Sequence, residues 1–504
     1  MSQPNPPKDT KTRKPSMLKR ALLAFGAALL LLVSVLLVRT FTVSSKQLNP
    51  PAPQLPKVDG DALAQRLAAA TRLKTISNED PSKVDREPFM ALHKLIQDSY
   101  PKVHQSLQRE VVAEMSLLYT WPGTNKDAAP IVLMGHMDVV PIERGTEKDW
   151  VHPPFDGVIK DGYIWGRGSM DDKAGVLGIL EAVELLLGED FKPKQTIYLA
   201  FGHDEEVGGE GAKAMAALLK KRGIKAAMVL VEGLVITDGI IPGLKPPGAL
   251  IGLSEKGYLS VELTVELEGG HSSMPPKNTA VGILSHAIAQ LDAPPLPARL
   301  AGPVKALFAT LGPEMPFGMR LAFSNLWLLS PVVLSQLEAK TSTNATIRTT
   351  TAPTMFQGSV KDNVLPASAK AVVNFRILPG DTMKSVLEHV KNTVNDPRVQ
   401  IKGLTGLGGD PSPVSSTTSA AYNHLATTIR QIYPDAVVSP ALCIGATDSR
   451  HFREVAVDTY RFLPQRMTPE DRPRFHGTNE RLSVKDHTDA VLFYRQLILN
   501  FSQN

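Results

Sequence analysis

Gly135-His136-Met137-Asp138, Gly166-Arg167-Gly168-Ser169-Met170-Asp171-Asp172-Lys173 and His203-Asp204-Glu205-Glu206 are three polar clusters, all contained in residues 135–206. Each follows or ends an apolar run of strand character, at 131–134, 163–165 and 196–201. Open α/β folds place their sites at the carboxyl ends of sheet strands. These spacings therefore predict one cleft in which imidazole and carboxylate groups converge, the donor chemistry of bound metal ions.

The pattern around this stretch sets the fold class. Helix-period segments at 62–73, 88–99, 174–187 and 212–222 alternate with β-rich runs at 108–119, 131–134, 196–201 and 227–231, the mark of an α/β layered domain. At Gly257 the character changes. A strand at 258–267, a helix at 280–291, a strand at 369–378, a helix at 383–394 and a strand at 399–404 predict a small α+β sandwich inserted into the first domain. After Gly409 the α/β pattern resumes over 419–433 and closes with an amphipathic helix at 488–500. A chain of 504 residues, 43% hydrophobic, is too long for one compact domain. The boundaries predicted are 61–257 and 409–504 for the two parts of the α/β domain and 258–408 for the insertion.

Upstream lie a basic tail (1–20), an apolar segment (21–41) and a Pro-rich linker (42–60). The tail carries Lys8, Lys11, Arg13, Lys14, Lys19 and Arg20 against Asp9, six minus one, which equals the formal +5 of the whole chain. The rest is charge-balanced, so the basic total implies no nucleic-acid partner. Residues 21–38 carry no charge and are long enough for a transmembrane helix, and the basic flank orients the amino end toward the cytoplasm. An anchor is preferred to a cleaved, secreted form, because the run exceeds a usual signal h-region and no Ala-x-Ala site follows. Pro50, Pro51, Pro53 and Pro56 read as a stiff spacer lifting the globular part, which is extracytoplasmic on this reading, off the bilayer. Cys443 is the sole cysteine, which excludes an intramolecular disulfide and leaves His, Asp and Glu as the metal donors.

The ordered motifs Gly-His-Met-Asp-Val-Val-Pro (135–141), Gly-Arg-Gly-Ser-Met-Asp-Asp-Lys (166–173), Asp-Glu-Glu (204–206), Gly-Gly-His-Ser-Ser (269–273) and Phe-His-Gly-Thr-Asn-Glu (475–480) resemble the co-catalytic zinc exopeptidase and aminoacylase family. That family includes carboxypeptidase S, carnosinase, glutamate carboxypeptidase and succinyl-diaminopimelate desuccinylase. Leu253-Ser254-Glu255-Lys256-Gly257 and Ser272-Ser273-Met274-Pro275-Pro276 bring the likeness nearest to carboxypeptidase S and the N-fatty-acyl-amino acid synthase/hydrolase. The resemblance implies a catalytic α/β domain with an inserted lid or dimerisation domain, two zinc ions per subunit, and a water activated between them.

By position, the resemblance assigns His136 to one zinc, Asp171 to the bridge, and Glu206 with His476 to the other zinc. It implies that Asp138 fixes the His136 tautomer and that Glu205 is the general base. Carboxypeptidase S-like members carry an Asp ligand where this chain has Val231, so Glu232 is the expected substitute, reached by a strand slip or bulge of one residue. His271 is implied as the lid histidine of the oxyanion site, supplied by the partner subunit in dimeric relatives. Arg376 is implied as the fork for a substrate carboxylate, Asn363 as the lid asparagine, and Gly445 and Thr447 as pocket wall. A cis Asp171–Asp172 peptide bond is implied too. His152, His203, His451 and His487 are read as structural.

The expected protein is a zinc-dependent hydrolase of amide bonds beside a free carboxylate, acting on a peptide or an N-acyl amino acid, with a homodimer left open. The alternative is a zinc-less homologue acting as a binding protein. The segment 291–337, rich in large apolar side chains and prolines, is expected to wall an acyl-binding pocket.

Overall fold

A computed structural model of the protein describes residues 17–502. Its main unit is built on a ten-stranded mixed sheet whose central strands are Ile197–Gly202, Ile131–His136, Ala226–Val231 and Ala456–Arg461, hydrogen-bonded in that order and all parallel. Parallel strands covered on both faces need apolar side chains on both, which is why these segments read as continuous hydrophobic runs. Ile131 and Leu133 enter one core with Leu199 and Phe201, while Val132 and Met134 enter a second with Tyr198 and Ala200. The helices Gly60–Thr71, Lys173–Gly188, Ala420–Ile432 and Val484–Ser502 cover the first face, and Glu210–Lys221 covers the second. Asp59 and Ser419 start two of them by accepting backbone N–H groups at the first turn.

The run 108–119 is not one strand. It folds as a hairpin, Gln108–Val112 against Ser116–Trp121, turning through Ala113 and Glu114 at φ 48° and 70°. Left-handed backbone at two non-glycine residues carries no composition signal, so the turn is invisible to periodicity.

The second unit has four antiparallel strands in the order Thr350–Gln357, Ser368–Ile377, Gly257–Glu266, Val399–Gly409, with helices Ala280–Asp292 and Met383–Val394 packed over a core of Leu259, Val261, Val373 and Phe375. Its entry and exit lie against each other at Gly257, where a Cβ would stand 2.6 Å from the Gly409 carbonyl oxygen. Only glycine lets the two crossings approach this closely.

The segment 291–337 forms the helices Gly302–Leu311, Phe317–Ser324 and Leu326–Glu338. Pro303 sits in the first turn of the first and Pro316 at the N-cap of the second, positions at which no backbone N–H is needed, so these prolines start helices instead of breaking them. Residues 43–49 do not stand clear as a spacer. Gln47 exchanges hydrogen bonds with the Val438 backbone at 3.0 and 2.7 Å, and Arg430 donates to the Leu48 carbonyl at 2.9 Å.

Candidate active site

Three strand ends and one loop supply the cleft. His136 closes the strand Ile131–His136, Glu205 and Glu206 follow Ile197–Gly202, Glu232 follows Ala226–Val231, and His476 comes from the loop before Arg481–Ser483. Asp171 lies at the N-terminus of Lys173–Gly188, and the peptide bond joining it to Asp172 is cis.

Asp171 stands between the two histidines. Its Oδ1 is 3.0 Å from His136 Nε2 and its Oδ2 is 2.9 Å from His476 Nε2. Glu206 Oε1 lies 3.2 Å from the same His476 nitrogen. The donor atoms of His136, Glu205 and Glu206 fall within 4.8 Å of one another, as do those of Asp171, Glu206 and His476. His476 reaches this position with φ 57°, a conformation that costs a non-glycine residue about 1–2 kcal/mol.

Asp138 organises the floor. Its carboxylate accepts the Ser77 hydroxyl at 2.6 Å and the backbone N–H groups of Glu205 and Glu206 at 3.1 and 3.2 Å, and lies 3.3 Å from His136 Nδ1. One buried side chain therefore sets the imidazole and the two glutamates together. Glu480 does the same for the bridging loop: it pairs with Arg167 at 2.6 Å and accepts the N–H groups of Gly168, Met170 and Asp171 at 2.9, 2.9 and 3.2 Å.

The electrostatics are those of a crowded set of imidazole and carboxylate donors. Burial, reinforced by Asp448, Glu232 and Glu206, pushes the Glu205 carboxyl well above its ordinary range despite the opposing His136. Burial likewise raises Glu232 well above it, and one Glu232 oxygen has no hydrogen-bond partner. Against burial, Asp138 and Asp171 hold the His136 imidazole charged far above its usual value, while the hydrogen bonds that His476 donates to Asp171 and Glu206 raise it to about 10. Among the described residues no Lys or Arg pairs with Asp171, Glu205, Glu206 or Glu232; their ion pairs are with His136 and His476 alone. Imidazole and carboxylate donors crowded without a basic counter-charge suit a pair of borderline divalent ions.

The cluster forms one wall of a cavity of about 480 Å³ that also takes in Glu232, Tyr258, Arg376, Gly445, Thr447 and Arg450. Arg376, from the strand Ser368–Ile377, lies over the Tyr258 ring at 4.7 Å, and its guanidinium has no anionic partner among the described residues. Gly445 is open wall. Thr447 is 4% exposed and committed to Glu255, to which its N–H and hydroxyl both donate at 3.0 Å.

Several expectations need correction or addition. The strand Ala226–Val231 pairs with Ala456–Arg461 in unbroken register, so no bulge presents Glu232. Val231 points into an apolar core, and Glu232 lines the cavity without joining either close donor group. His271 and Asn363 lie on a short ribbon, Gly270–His271 against Val364–Leu365, exposed and outside this cavity. None of residues 291–337 lines it, so they build no acyl wall there. Asp448, which none of the motifs above contains, is buried with both carboxylate oxygens unpartnered among the described residues and raised to about 7 by burial. It wedges where a Cβ on Gly202 or Gly209 would strike its oxygens. His203 meets Ser116 at 2.7 Å, His451 the Gly208 carbonyl at 3.1 Å, His152 meets the Trp165 ring edge to face at 5.3 Å between centroids, and His487 is wholly buried.

Comparison with known proteins places this geometry. Residues 132–500 match the model of peptidase family M20/M25/M40. The chain is similar to probable carboxypeptidase S-like 2 of Dictyostelium discoideum, 43% identical over 443 residues that cover 87% of this chain and 85% of that protein. It is also similar to the N-fatty-acyl-amino acid synthase/hydrolase PM20D1.1 of Danio rerio, 40% identical over 507 aligned positions covering 97% and 98% of the two chains. The crystal structure of the M20 family metallo-carboxypeptidase Sso-CP2 from Sulfolobus solfataricus shares the fold, with a TM-score of 0.64 at 17% identity over 87% of this chain and 99% of that one.

Proposed function

The chain belongs to peptidase family M20/M25/M40 and is an enzyme, and from that premise we propose that it hydrolyses an amide bond next to a free carboxylate, in a C-terminal peptide bond or an N-acyl amino acid. The observation that carries this reading is the unpaired guanidinium of Arg376 in the same cavity as the His136, Asp171, Glu206 and His476 cluster. A substrate carboxylate neutralises Arg376 and sets the adjoining amide against the metal donors.

His136, Asp171, Glu206 and His476 would hold two zinc ions, with Glu232 at the cavity wall as a further candidate donor. When bound, the metal pair supplies Lewis-acid activation of water and of the scissile carbonyl. Glu205 takes the water's proton and passes it to the leaving nitrogen, a transfer suited to a carboxyl whose proton affinity burial has raised. Asp138 holds His136 and the backbone of both glutamates in place during that exchange. Arg376 fixes the carboxylate end, and Gly445 leaves room beside it.

His271 and Asn363 stand outside the cavity of their own chain, which favours a homodimer in which each lid ribbon serves the partner's cleft. The helix Met17–Thr42 would anchor the enzyme with its catalytic domain extracytoplasmic. The experiment is release of free amino acids from a mixed panel of dipeptides and N-acyl amino acids by the purified full-length protein, with zinc content measured alongside. Turnover lost on chelation and restored by zinc supports the reading. A metal-free, inactive protein that still binds these ligands would instead establish a binding protein.

A further inference from the structure

The helix Met17–Thr42 is long and apolar enough to cross a membrane, and its apolar stretch is not buried in the protein. Its carboxyl end is held by the globular part. Arg320 donates to the carbonyl oxygens of Thr40 and Val43 at 2.9 and 2.6 Å, and Asn325 to Leu36 O and Thr40 Oγ1 at 3.2 Å each. The Phe41 and Phe317 rings lie 5.8 Å apart. The uncharged stretch 21–38 measures about 27 Å at ~1.5 Å per residue, close to the ~30 Å hydrocarbon thickness of a bilayer. Its outer boundary therefore falls at residues 39–41, where the helices of the inserted segment make contact.

Those helices, Phe317–Ser324 and Leu326–Glu338, meet at a bend of 119° and are together as apolar as a membrane-spanning helix. Residues 321–337 contain no Asp, Glu, Lys or Arg. One face packs on the protein through Phe323, Val333, Leu334 and Leu337, yet Phe317, Trp327, Leu328 and Val332 are 51, 55, 38 and 59% exposed. A helix apolar on every side is at rest only when its outer face also leaves water. Neither helix can span: 13 residues reach ~20 Å. A short apolar helix level with the interface, carrying an exposed Trp and flanked by Arg39 and Arg320, has the geometry of an element lying in the outer leaflet.

We propose that Phe317–Ser324 and Leu326–Glu338 dock into the outer leaflet of the bilayer that the chain's own N-terminal helix enters, so that the enzyme lies on the membrane by two elements instead of hanging from one. The inference rests on the anchored reading given above. A second copy of the chain is the weaker occupant, because the apolar N-terminal helix leaves from this same face and brings the bilayer to it. The hydrogen-bonded course of residues 43–49 along the domain leaves no slack to hold that face away.

Trp327 is the reporter, since Trp121, Trp150 and Trp165 are 4, 9 and 9% exposed. The full-length protein is reconstituted in phosphatidylcholine vesicles, and the Trp327 signal is isolated as the difference between wild type and Trp327→Phe. The expected result is that a nitroxide at carbon 5 of the lipid acyl chain removes most of that signal while aqueous iodide leaves it. In Leu328→Asp/Val332→Asp, altered only at exposed positions, the nitroxide effect falls and iodide quenching appears while the protein stays vesicle-bound. Quenching by iodide and not by nitroxide in the unaltered chain overturns the proposal, and shielding from both, which marks a second copy, overturns it too. Intact mass separates the two readings: if residues 17–42 have been removed, the anchor reading fails, and the same measurement on the shortened chain with added vesicles decides the docking.

Discussion

Replacing Arg376 with Met tests the substrate class directly. The guanidinium is half-buried, lies over Tyr258 at 4.7 Å and has no carboxylate partner among the described residues, so on the function proposed above it is the group that receives the substrate carboxylate. Burial lowers its pKa below the ordinary guanidinium range, which marks a charge already partly stripped of water before substrate arrives. Truncating one partner of a desolvated, hydrogen-bonded charge pair costs roughly 2–5 kcal/mol. At ~1.4 kcal/mol per decade, kcat/KM for a free-carboxylate substrate should fall about 30- to 4,000-fold. The assay is a two-by-two cycle: wild type and Arg376→Met against one substrate and its carboxamide. The wild type should lose about as much on amidation as on mutation, and the variant should hardly distinguish the two substrates. Equal fold losses for acid and amide in the variant would refute a carboxylate contact and leave Arg376 a packing role over Tyr258.

Glu205→Gln keeps the cavity shape but cannot accept a proton, so turnover should drop on the order of 10²–10⁴-fold with metal content unchanged by elemental analysis; because Glu205 lies within donor range of His136, loss of metal would move it into the ligand set. Asp138→Asn weakens the support of His136 and of the Glu205 and Glu206 backbone, and metal affinity in a competitive chelator titration should fall about 10–100-fold, an unchanged affinity counting against a positioning role. Burial holds His487 at about 4 against an ordinary 6.5, with both ring nitrogens unpartnered. Between those values the unfolded chain binds the extra proton, so stability is full above pH 6.5 and falls as pH drops toward 4, by on the order of 3 kcal/mol, and His487→Leu should flatten that part of the urea-unfolding profile.

What could be read from the chain, and what could not, follows from the range of the forces involved. The central strands were legible because a parallel strand covered on both faces must be apolar at every position, a local signal. Ala113 and Glu114 turn a hairpin with no Gly, Pro or Asn to announce it, and only the packing of Ser116–Trp121 on Ile197–Gly202 selects that backbone. Prolines 303, 316 and 331 read as interruptions of a wall, whereas two of them begin helices and the third lies within Leu326–Glu338. His136, Asp171, Glu206 and His476 could be named because each sits in its own ordered motif. Glu480 and Asp448 act through contacts with distant segments: Glu480 meets Gly168 across 312 positions, and Asp448 fills a space that Gly202 and Gly209 leave open. The spacing of residues along the chain carries no such information.

Val231 and Glu232 show how little separates a legible position from an illegible one. The chain has Val231 where the resemblance implies a carboxylate, and a slip of the strand by one residue would bring Glu232 into its place. The register from Ala226 to Val231 is instead continuous, and side chains along a strand alternate between its faces. Val231 therefore shares the side of Val229, in the core under Glu210–Lys221, and Glu232 takes the other. Just beyond it Gly233, at φ 125°, turns the chain and closes on Thr447 and Arg461, where a side chain would meet both at 3.2–3.3 Å. That turn leaves Glu232 buried at the cavity wall with one oxygen unpartnered. If Glu232 is the substitute donor, Glu232→Gln should release one metal of the two while Val231→Asp, placed in an apolar core, should restore none and cost stability instead.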